Sequence, residues 1–396
     1  MQKLAIEGGV PVRKEFLPFS PPDIGEEEIK AVTDVLQSGW ITTGPRCREF
    51  EQELCSFTGA SNAVLLSSAT AGLFLCLKLH NIGEGDEVIT TPYTFASTAN
   101  VIIHTGARPV FADIDGETLN ISPAEIEKRI TPRTKAVIPV HYAGHPAQME
   151  EIHKIAEEYD LIVIEDAAHA IGASYRGTMI GNSENPVVFS FHAVKNLTTA
   201  EGGAVLTNDE HLARQLRLYA LHGQTRDAFA KQQVGGWQYD ISVPGYKFNM
   251  TDLQAAIGLE QLKKLDRNNR RREVIAEQYT SHLIQYDFIT IPAVHKDTVH
   301  AWHLYPLRID FSKLTIGRDR FIEALGAEGI SSNVHFIPVH AMTHYRMTYG
   351  YEPYDFPVAY NCFLHEVSLP IYPGLNDADA EQVLEALNKL FAYYKR

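Results

Sequence analysis

The sequence predicts an α/β fold, a mostly parallel central sheet covered by helices and followed by a smaller α+β unit, on three observations. Between about residues 63 and 208, short aliphatic or β-branched runs alternate with helical stretches. Those runs are apolar throughout instead of alternating in and out, which marks strands buried on both faces. After residue 249 the pattern shifts to one long charged helix and then to mixed strand and helix.

Taken in order, residues 63–66 read as a strand that runs through a small-residue turn, Ser67-Ser68-Ala69-Thr70-Ala71-Gly72, into an apolar helix. Residues 134–140 form an apolar strand. Residues 147–159 place Met149, Ile152, Ile155 and Ala156 on one helical face, and residues 161–164 return as a strand, completing a βαβ unit. Residues 187–191 make another apolar strand. Residues 252–284 read as a long helix whose Lys263, Lys264, Arg267 and Arg270–Arg272 belong to a solvated face and not to a nucleic-acid patch, since the chain is acidic overall. Residues 302–309 alternate like a strand, residues 318–328 are helical with Gly329 as a C-terminal cap, and residues 377–394 form a closing amphipathic helix. The shift in pattern divides the chain into a large domain, 1–260, and a small one, 261–396.

Composition sets the outer limits. With 396 residues, 45% apolar, the chain can bury a large core. A net charge of −14 disfavours a sequence-independent nucleic-acid binder and an anionic-membrane binder. Cys47, Cys55, Cys76 and Cys362 form no metal-finger spacing and read as thiols of a reducing compartment. No secretory pattern or membrane-length apolar run is visible, so a cytoplasmic protein is expected.

Common chemical motifs fail: there is no P-loop, no G-x-G-x-x-G after a strand, no G-x-S-x-G elbow and no H-E-x-x-H. His141/His145 and His340/His344 have a helical metal spacing. However, His141 follows a strand and Pro146 follows His145, so no metal is expected.

Four places are better suited to chemistry. The turn at Ser67–Gly72 opens a helix, where backbone N–H groups and hydroxyls suit a phosphate, although Ser and Thr also serve as plain caps. The strand at 161–164 ends in Glu165-Asp166-Ala167-Ala168-His169. A carboxylate at a parallel strand's carboxyl end fits a ligand crevice, where Asp166 could hold a protonated heterocyclic nitrogen; a helix N-cap is an equal alternative. Lys195 lies just past another apolar strand amid few charges, where desolvation favours the free amine needed for a Schiff base. Pro244-Gly245-Tyr246-Lys247-Phe248-Asn249 sets polar side chains before the long helix. Together, strand-end acid, strand-end lysine and helix-start phosphate cup describe a pyridoxal phosphate site.

These residues also carry a resemblance. Phe16-Leu17-Pro18-Phe19, Ser38-Gly39-Trp40-Ile41-Thr42-Thr43-Gly44, the Ser67 turn, Glu165 to His169, Ser190-Phe191-His192-Ala193-Val194-Lys195-Asn196, the Pro244–Asn249 segment and His300-Ala301-Trp302-His303-Leu304 resemble the DegT/DnrJ/EryC1/StrS sugar aminotransferases. The chain is most similar to the branch that includes the UDP-4-amino-4-deoxy-L-arabinose aminotransferase.

The resemblance implies an aspartate-aminotransferase-like fold, PLP fold type I. It implies Lys195 as the Schiff-base lysine, Asp166 as the partner of the pyridine nitrogen, and His169, where many members have Gln, beside the phenolic oxygen. Phe95 would stack on the pyridine face. Ala69, Thr70 and Ser190 would bind the phosphate, with Asn249 reaching across from the second subunit of a homodimer. Thr43, Lys247 and His335 are candidates for substrate contacts. The common Gly-Glu-Gly-Gly is here Ala200-Glu201-Gly202-Gly203, a small-for-small change.

The implied reaction is ping-pong transfer of an amino group from L-glutamate to a keto carbon, C4, of a UDP-linked keto sugar, in making amino sugars for cell-surface polysaccharide such as lipopolysaccharide. The competing expectations are C3 transamination or dehydration of a dTDP-linked sugar, and a non-catalytic sugar-nucleotide regulator. The regulator's expected mark, a lost lysine or acid, is absent.

Overall fold

A computed structural model describes residues 3–225 and 237–396. The strands of the larger unit are β1 (Asn62–Leu66), β2 (Glu87–Thr90), β3 (Arg108–Phe111), β4 (Thr134–Ile138), β5 (Ile162–Val163), β6 (Glu165–Asp166), β7 (Val187–Ser190) and β8 (Gly203–Thr207). They form two four-stranded sheets, β3-β2-β4-β5 and β6-β7-β8-β1. The sheets join where β5 runs on into β6 and Val140 bridges Asp166. β2, β3, β4 and β5 pair in parallel, as do β6 and β7. β8 runs antiparallel to both β7 and β1, so β1 and β7 point the same way.

The period of two explains why these strands read as apolar throughout. In β1, Ala63 and Leu65 face one core with Phe50, Leu54 and Leu259, while Val64 and Leu66 face another with Leu73, Leu77 and Leu216. Helices of the larger unit include α1 (Glu26–Ser38), α2 (Pro45–Thr58), α3 (Ala69–Leu79), α4 (Ala96–His104), α5 (Met149–Tyr159), α6 (Glu210–Ala220) and α7 (Asp252–Leu283), of which α2 and α7 line the first core and α3, α4 and α6 the second. Burial on both faces fixes the sheet, and the aligned carboxyl ends of β1, β2, β4, β6 and β7 leave one crevice.

Some boundaries move for local reasons. β4 ends at Ile138 because Pro139 has no N–H to donate. The 161–164 strand breaks at Ile164 because its two halves pair with different neighbours, β4 and β7.

α7 is capped at Thr251, which exchanges hydrogen bonds with Gln254 in a capping box. It carries the chain into the second core. There β9 (Ile289–Thr290), β10 (Tyr305–Ile309) and β11 (Glu366–Leu369) pair antiparallel. They pack with α8 (Arg318–Ala327) and α9 (Asp377–Tyr394) through residues such as Leu307, Phe321, Leu325, Leu387 and Phe391. Leu4 and Leu17 return from the N-terminal arm to this core. We propose the division at 260/261, inside α7, as the domain boundary, with the arm crossing over to the small unit.

The strand expected over 302–309 begins only at Tyr305. Trp302 lies at φ +48° with its N–H bonded to His300 Nδ1, so residues 300–304 form a loop against the crevice. Among the described residues no helix is long and apolar enough to cross a membrane.

Candidate active site

Asp166 ends β6 and is 3% exposed. No helix follows it, so its carboxylate does not cap one. Instead Oδ1 accepts from the Ala168 N–H at 3.1 Å and Oδ2 accepts from Thr98 Oγ1 at 2.8 Å. Burial pushes the carboxyl pKa up, opposed by these two donors and by the charge of Lys195. Lys195 follows β7 through a turn in which its N–H donates to His192 O at 2.9 Å. Its half-buried ammonium is pushed down to about 8 by desolvation, against the pull of Asp166. Each of the two charges supports the other in a crevice that favours neither alone.

The loop after Lys195 is tied down by Asn196, which donates to Asn269 Oδ1 at 2.9 Å on α7 and to Ala301 O at 2.7 Å. Its Oδ1 accepts from His303 Nδ1 at 3.1 Å. His303 in turn lies 4.4 Å from the His169 ring. His169 is buried, and desolvation, then the charge of Lys195, hold it neutral. The Ala143 N–H donates to its Nδ1 at 3.3 Å, so the neutral ring carries its proton on Nε2 and offers a donor there.

Phe95 precedes α4 and stays 63% exposed, an unusual state for a phenylalanine without a ligand to cover. One helical turn further, Thr98 reaches Asp166, so the same segment supplies an apolar ring and the carboxylate's hydroxyl donor. Ser68 caps α3, its Oγ accepting from Ala71 N at 3.1 Å. The N–H groups of Ala69 and Thr70 have no helical carbonyl to bond and remain for an anion. β8 starts beside this turn: a Cβ on Gly203 would stand 2.5 Å from Ala69 N. Only glycine therefore lets the turn approach Ser190, which pairs with Gly203 at the end of β7. Ala200 lies at φ +66°, a left-handed position that glycine would occupy without strain.

His335 joins this group, since the Lys195 charge helps lower its pKa to about 4, after burial. Thr43, Lys247 and Asn249 form a separate group. Lys247 Nζ donates to Asn249 Oδ1, and Asn249 Nδ2 donates to Thr43 Oγ1 at 2.7 Å. Asn249 bridges Leu66 just before the helix-start turn, and with Thr43, Arg48 and Arg217 it lines a cavity of about 380 Å³. Thr43 Oγ1 and Asn249 Nδ2 also donate to Met250 O, and among the described residues no hydrogen bond runs from these three side chains to Lys195.

Sequence reasoning missed Thr98, His303, Ser368 and Glu366. Thr98 was within reach, because it stands three residues after Phe95 on a helix. His303, Ser368 and Glu366 were not, because only the fold carries the 300–304 loop to the first unit's strand ends and sets β11 behind His335.

The profile of the DegT/DnrJ/EryC1/StrS aminotransferase family matches residues 22–388. Spore coat polysaccharide biosynthesis protein SpsC of Bacillus subtilis is 50% identical over 380 residues, 96% of this chain and 98% of that protein. Among solved structures, Spr1654 of Streptococcus pneumoniae, a candidate sugar aminotransferase, superposes in its PMP form with a TM-score of 0.90. That pair is 37% identical over 95% of this chain and 99% of the other. Its PLP form gives 0.89 at 35% identity, covering 96% and 99%. PseC of Helicobacter pylori, an aminotransferase involved in the biosynthesis of pseudoaminic acid, gives 0.88 at 32% identity over 96% and 100%.

Pyridoxal phosphate fits what the crevice offers. An amine with a depressed pKa, a buried carboxylate, a fixed imidazole donor and a helix N-terminus kept open by Gly203 match an aldehyde, a ring nitrogen, a phenolic oxygen and a phosphate. Likeness of sequence over nearly the full length and of fold therefore has a chemical counterpart at the strand ends. The chain belongs to the DegT/DnrJ/EryC1/StrS aminotransferase family, and it is a sugar aminotransferase that uses pyridoxal phosphate.

Proposed function

We propose that the protein moves the amino group of L-glutamate to the C4 keto carbon of a UDP-linked keto sugar, working as a cytoplasmic homodimer with its active sites at the subunit interface. The observation that carries the amino-transfer chemistry is the placement of Asp166 at the end of β6 and of Lys195 in the turn after β6's parallel neighbour β7, where each charge supports the other. The choice of C4 and of UDP rests on the Gly245-Tyr246-Lys247-Phe248-Asn249 segment, which follows the arabinose-type branch. SpsC and PseC are named for polysaccharide and pseudoaminic acid biosynthesis, which supports a product destined for a cell-surface polysaccharide.

In this reading pyridoxal phosphate supplies an electron sink and carries the amino group between the two substrates. The Asp166 carboxylate holds the proton on the ring nitrogen, and Thr98 orients that carboxylate. The Lys195 amine, whose charge desolvation disfavours, would hold the cofactor's aldehyde carbon and, as a base at Nζ, move the proton released from the donor's α-carbon. His169 Nε2–H donates to the phenolic oxygen, and Phe95 covers the ring face from water. The N–H groups of Ala69 and Thr70, with the Ser190 hydroxyl, hold the phosphate, and Asn249 completes that cup from the second subunit. Thr43, Lys247 and His335 contact the sugar nucleotide, the Lys247 ammonium facing its diphosphate.

The test is a panel of 4-keto and 3-keto sugars linked to UDP or dTDP, incubated with L-glutamate and read by product mass and NMR. A 4-amino UDP-sugar is the expected product, with turnover of the other substrates at least tenfold lower. Amination at C3, loss of water, or preference for dTDP would replace the proposed substrate.

A further inference from the structure

Behind His335 lies a short chain of buried polar groups that the transfer chemistry does not use. Glu366 and Ser368, both 0% exposed, stand two residues apart on β11 and so share one face of the strand. Glu366 Oε2 accepts from the His335 N–H at 2.8 Å, and its Oε1 is hydrogen-bonded to Ser368 Oγ. Ser368 Oγ lies 2.8 Å from His335 Nδ1. The loop is pinned to the strand by backbone bonds between Ser368 and Asn333, and the imidazole is stacked on Phe19 at 5.4 Å.

A hydroxyl has one proton, so this chain has two consistent directions. With Glu366 ionised, Ser368 donates to the carboxylate and His335 Nδ1–H donates to Ser368, leaving Nε2 an acceptor. With Glu366 protonated, its hydroxyl donates to Ser368, Ser368 donates to Nδ1, and the ring proton moves to Nε2. The backbone N–H of His335 is satisfied in both. His169 has no such choice, because a backbone N–H always occupies its Nδ1.

We infer that Glu366 and Ser368 are positioning residues that set the tautomer of His335, so that the Nε2 it turns to the substrate is a donor when Glu366 is protonated and an acceptor when it is ionised. This rests on the sugar-nucleotide reading. The substrate atom addressed by the donor state is an acceptor oxygen, either the keto oxygen or a diphosphate oxygen.

Burial pushes Glu366 up to about 8, against Ser368, the His335 N–H and the charge of Arg318, so the donor state prevails at neutral pH. The other groups facing this carboxyl are Tyr93 and Tyr142, whose hydroxyls are held far above their ordinary pKa mainly by burial, with Cys362 also near Tyr93 and Tyr142 and Arg308 near Tyr93. Those facing the His335 ring are Lys195, His169 and His303.

The experiment is ¹⁵N NMR of histidine-labelled holoenzyme, the His335 signal assigned by its loss in His335→Ala. At pH 7 the expected proton is on Nε2, moving to Nδ1 as the pH rises through about 8. In Glu366→Gln the backbone N–H claims the amide oxygen and the amide NH₂ turns to Ser368, so the Nε2–H form should persist to pH 9.5. A wild-type tautomer that ignores pH, or a Glu366→Gln protein that still switches, overturns the inference.

In kinetics, wild-type kcat/KM for the keto sugar should fall about tenfold more between pH 7 and 9 than that of Glu366→Gln. Ser368→Ala, which cuts the chain, should lower it at both pH values while the glutamate half-reaction keeps its rate. An equal loss for glutamate and sugar would mark a merely structural role. UDP inhibition weakened in Ser368→Ala assigns the diphosphate oxygen, and unchanged inhibition the keto oxygen. Should no sugar nucleotide be a substrate, the substrate reading fails while the NMR result still judges the chain.

Discussion

Lys195→Ala will lose turnover by more than about 10⁴-fold, and with it the visible absorbance of the bound cofactor, because in the proposed mechanism one amine both anchors the cofactor and moves the proton. Retained activity would remove Lys195 from the site. A collapsed fold could mimic the loss, and the electrostatics of the crevice separate the two cases.

The folded pKa of Lys195 is about 8 against an ordinary 10.5. Below pH 8 the amine is charged in both folded and unfolded protein, so the full cost of holding that charge in the crevice is present. Between pH 8 and 10.5 the unfolded chain binds more protons, so stability rises with pH and the cost fades. Lys195→Met keeps the side-chain stem and removes the charge. The cofactor-free variant should therefore be more stable than cofactor-free wild type by about 2 kcal/mol at pH 7, after allowance for solvent at the half-buried amine. The difference should shrink towards zero by pH 10.5. Denaturant midpoints at the two pH values measure it, and a destabilised variant at pH 7 would show that Lys195 is a structural residue.

Asp166→Asn is the second large effect. The amide cannot hold a proton on a ring nitrogen as a carboxylate does, and it carries no charge to support Lys195. The expected loss in kcat is about 1000-fold, near 4 kcal/mol of barrier, with the cofactor still attached through the intact lysine. That split between retained visible absorbance and lost turnover distinguishes electronic support from mere binding. A loss under tenfold would mean that Asp166 does not face the ring nitrogen.

What could be read from the sequence follows from where the physics is local. The βαβ run from β4 to β6 was legible because uninterrupted apolar stretches and one amphipathic helix are each set by near neighbours. Lys195 and Asp166 were legible for a related reason: each lies just past an apolar run, and parallel strands share a carboxyl edge. Ser68 likewise stands where small residues meet a helix start.

The tautomer of His169 was not legible, since it depends on the Ala143 N–H, 26 residues away in the chain. Nor were Glu366 and Ser368 on β11, whose partner His335 comes from a loop 31 and 33 residues away. The 300–304 segment misled because Trp302 and Leu304 alternate like strand residues, while a positive φ and the His300 bond turn the backbone away from one.

The central claim is that the strand-end crevice takes an amino group from one substrate and hands it to another in separate steps. The most direct measurement exposes holoenzyme to ¹⁵N-glutamate, removes all free amino acid, and then adds the UDP-linked 4-keto sugar for a single turnover. The account predicts a sugar product carrying ¹⁵N, in an amount close to the number of active sites, and none from Lys195→Ala. A wild-type enzyme that forms labelled product only while glutamate is present would contradict it.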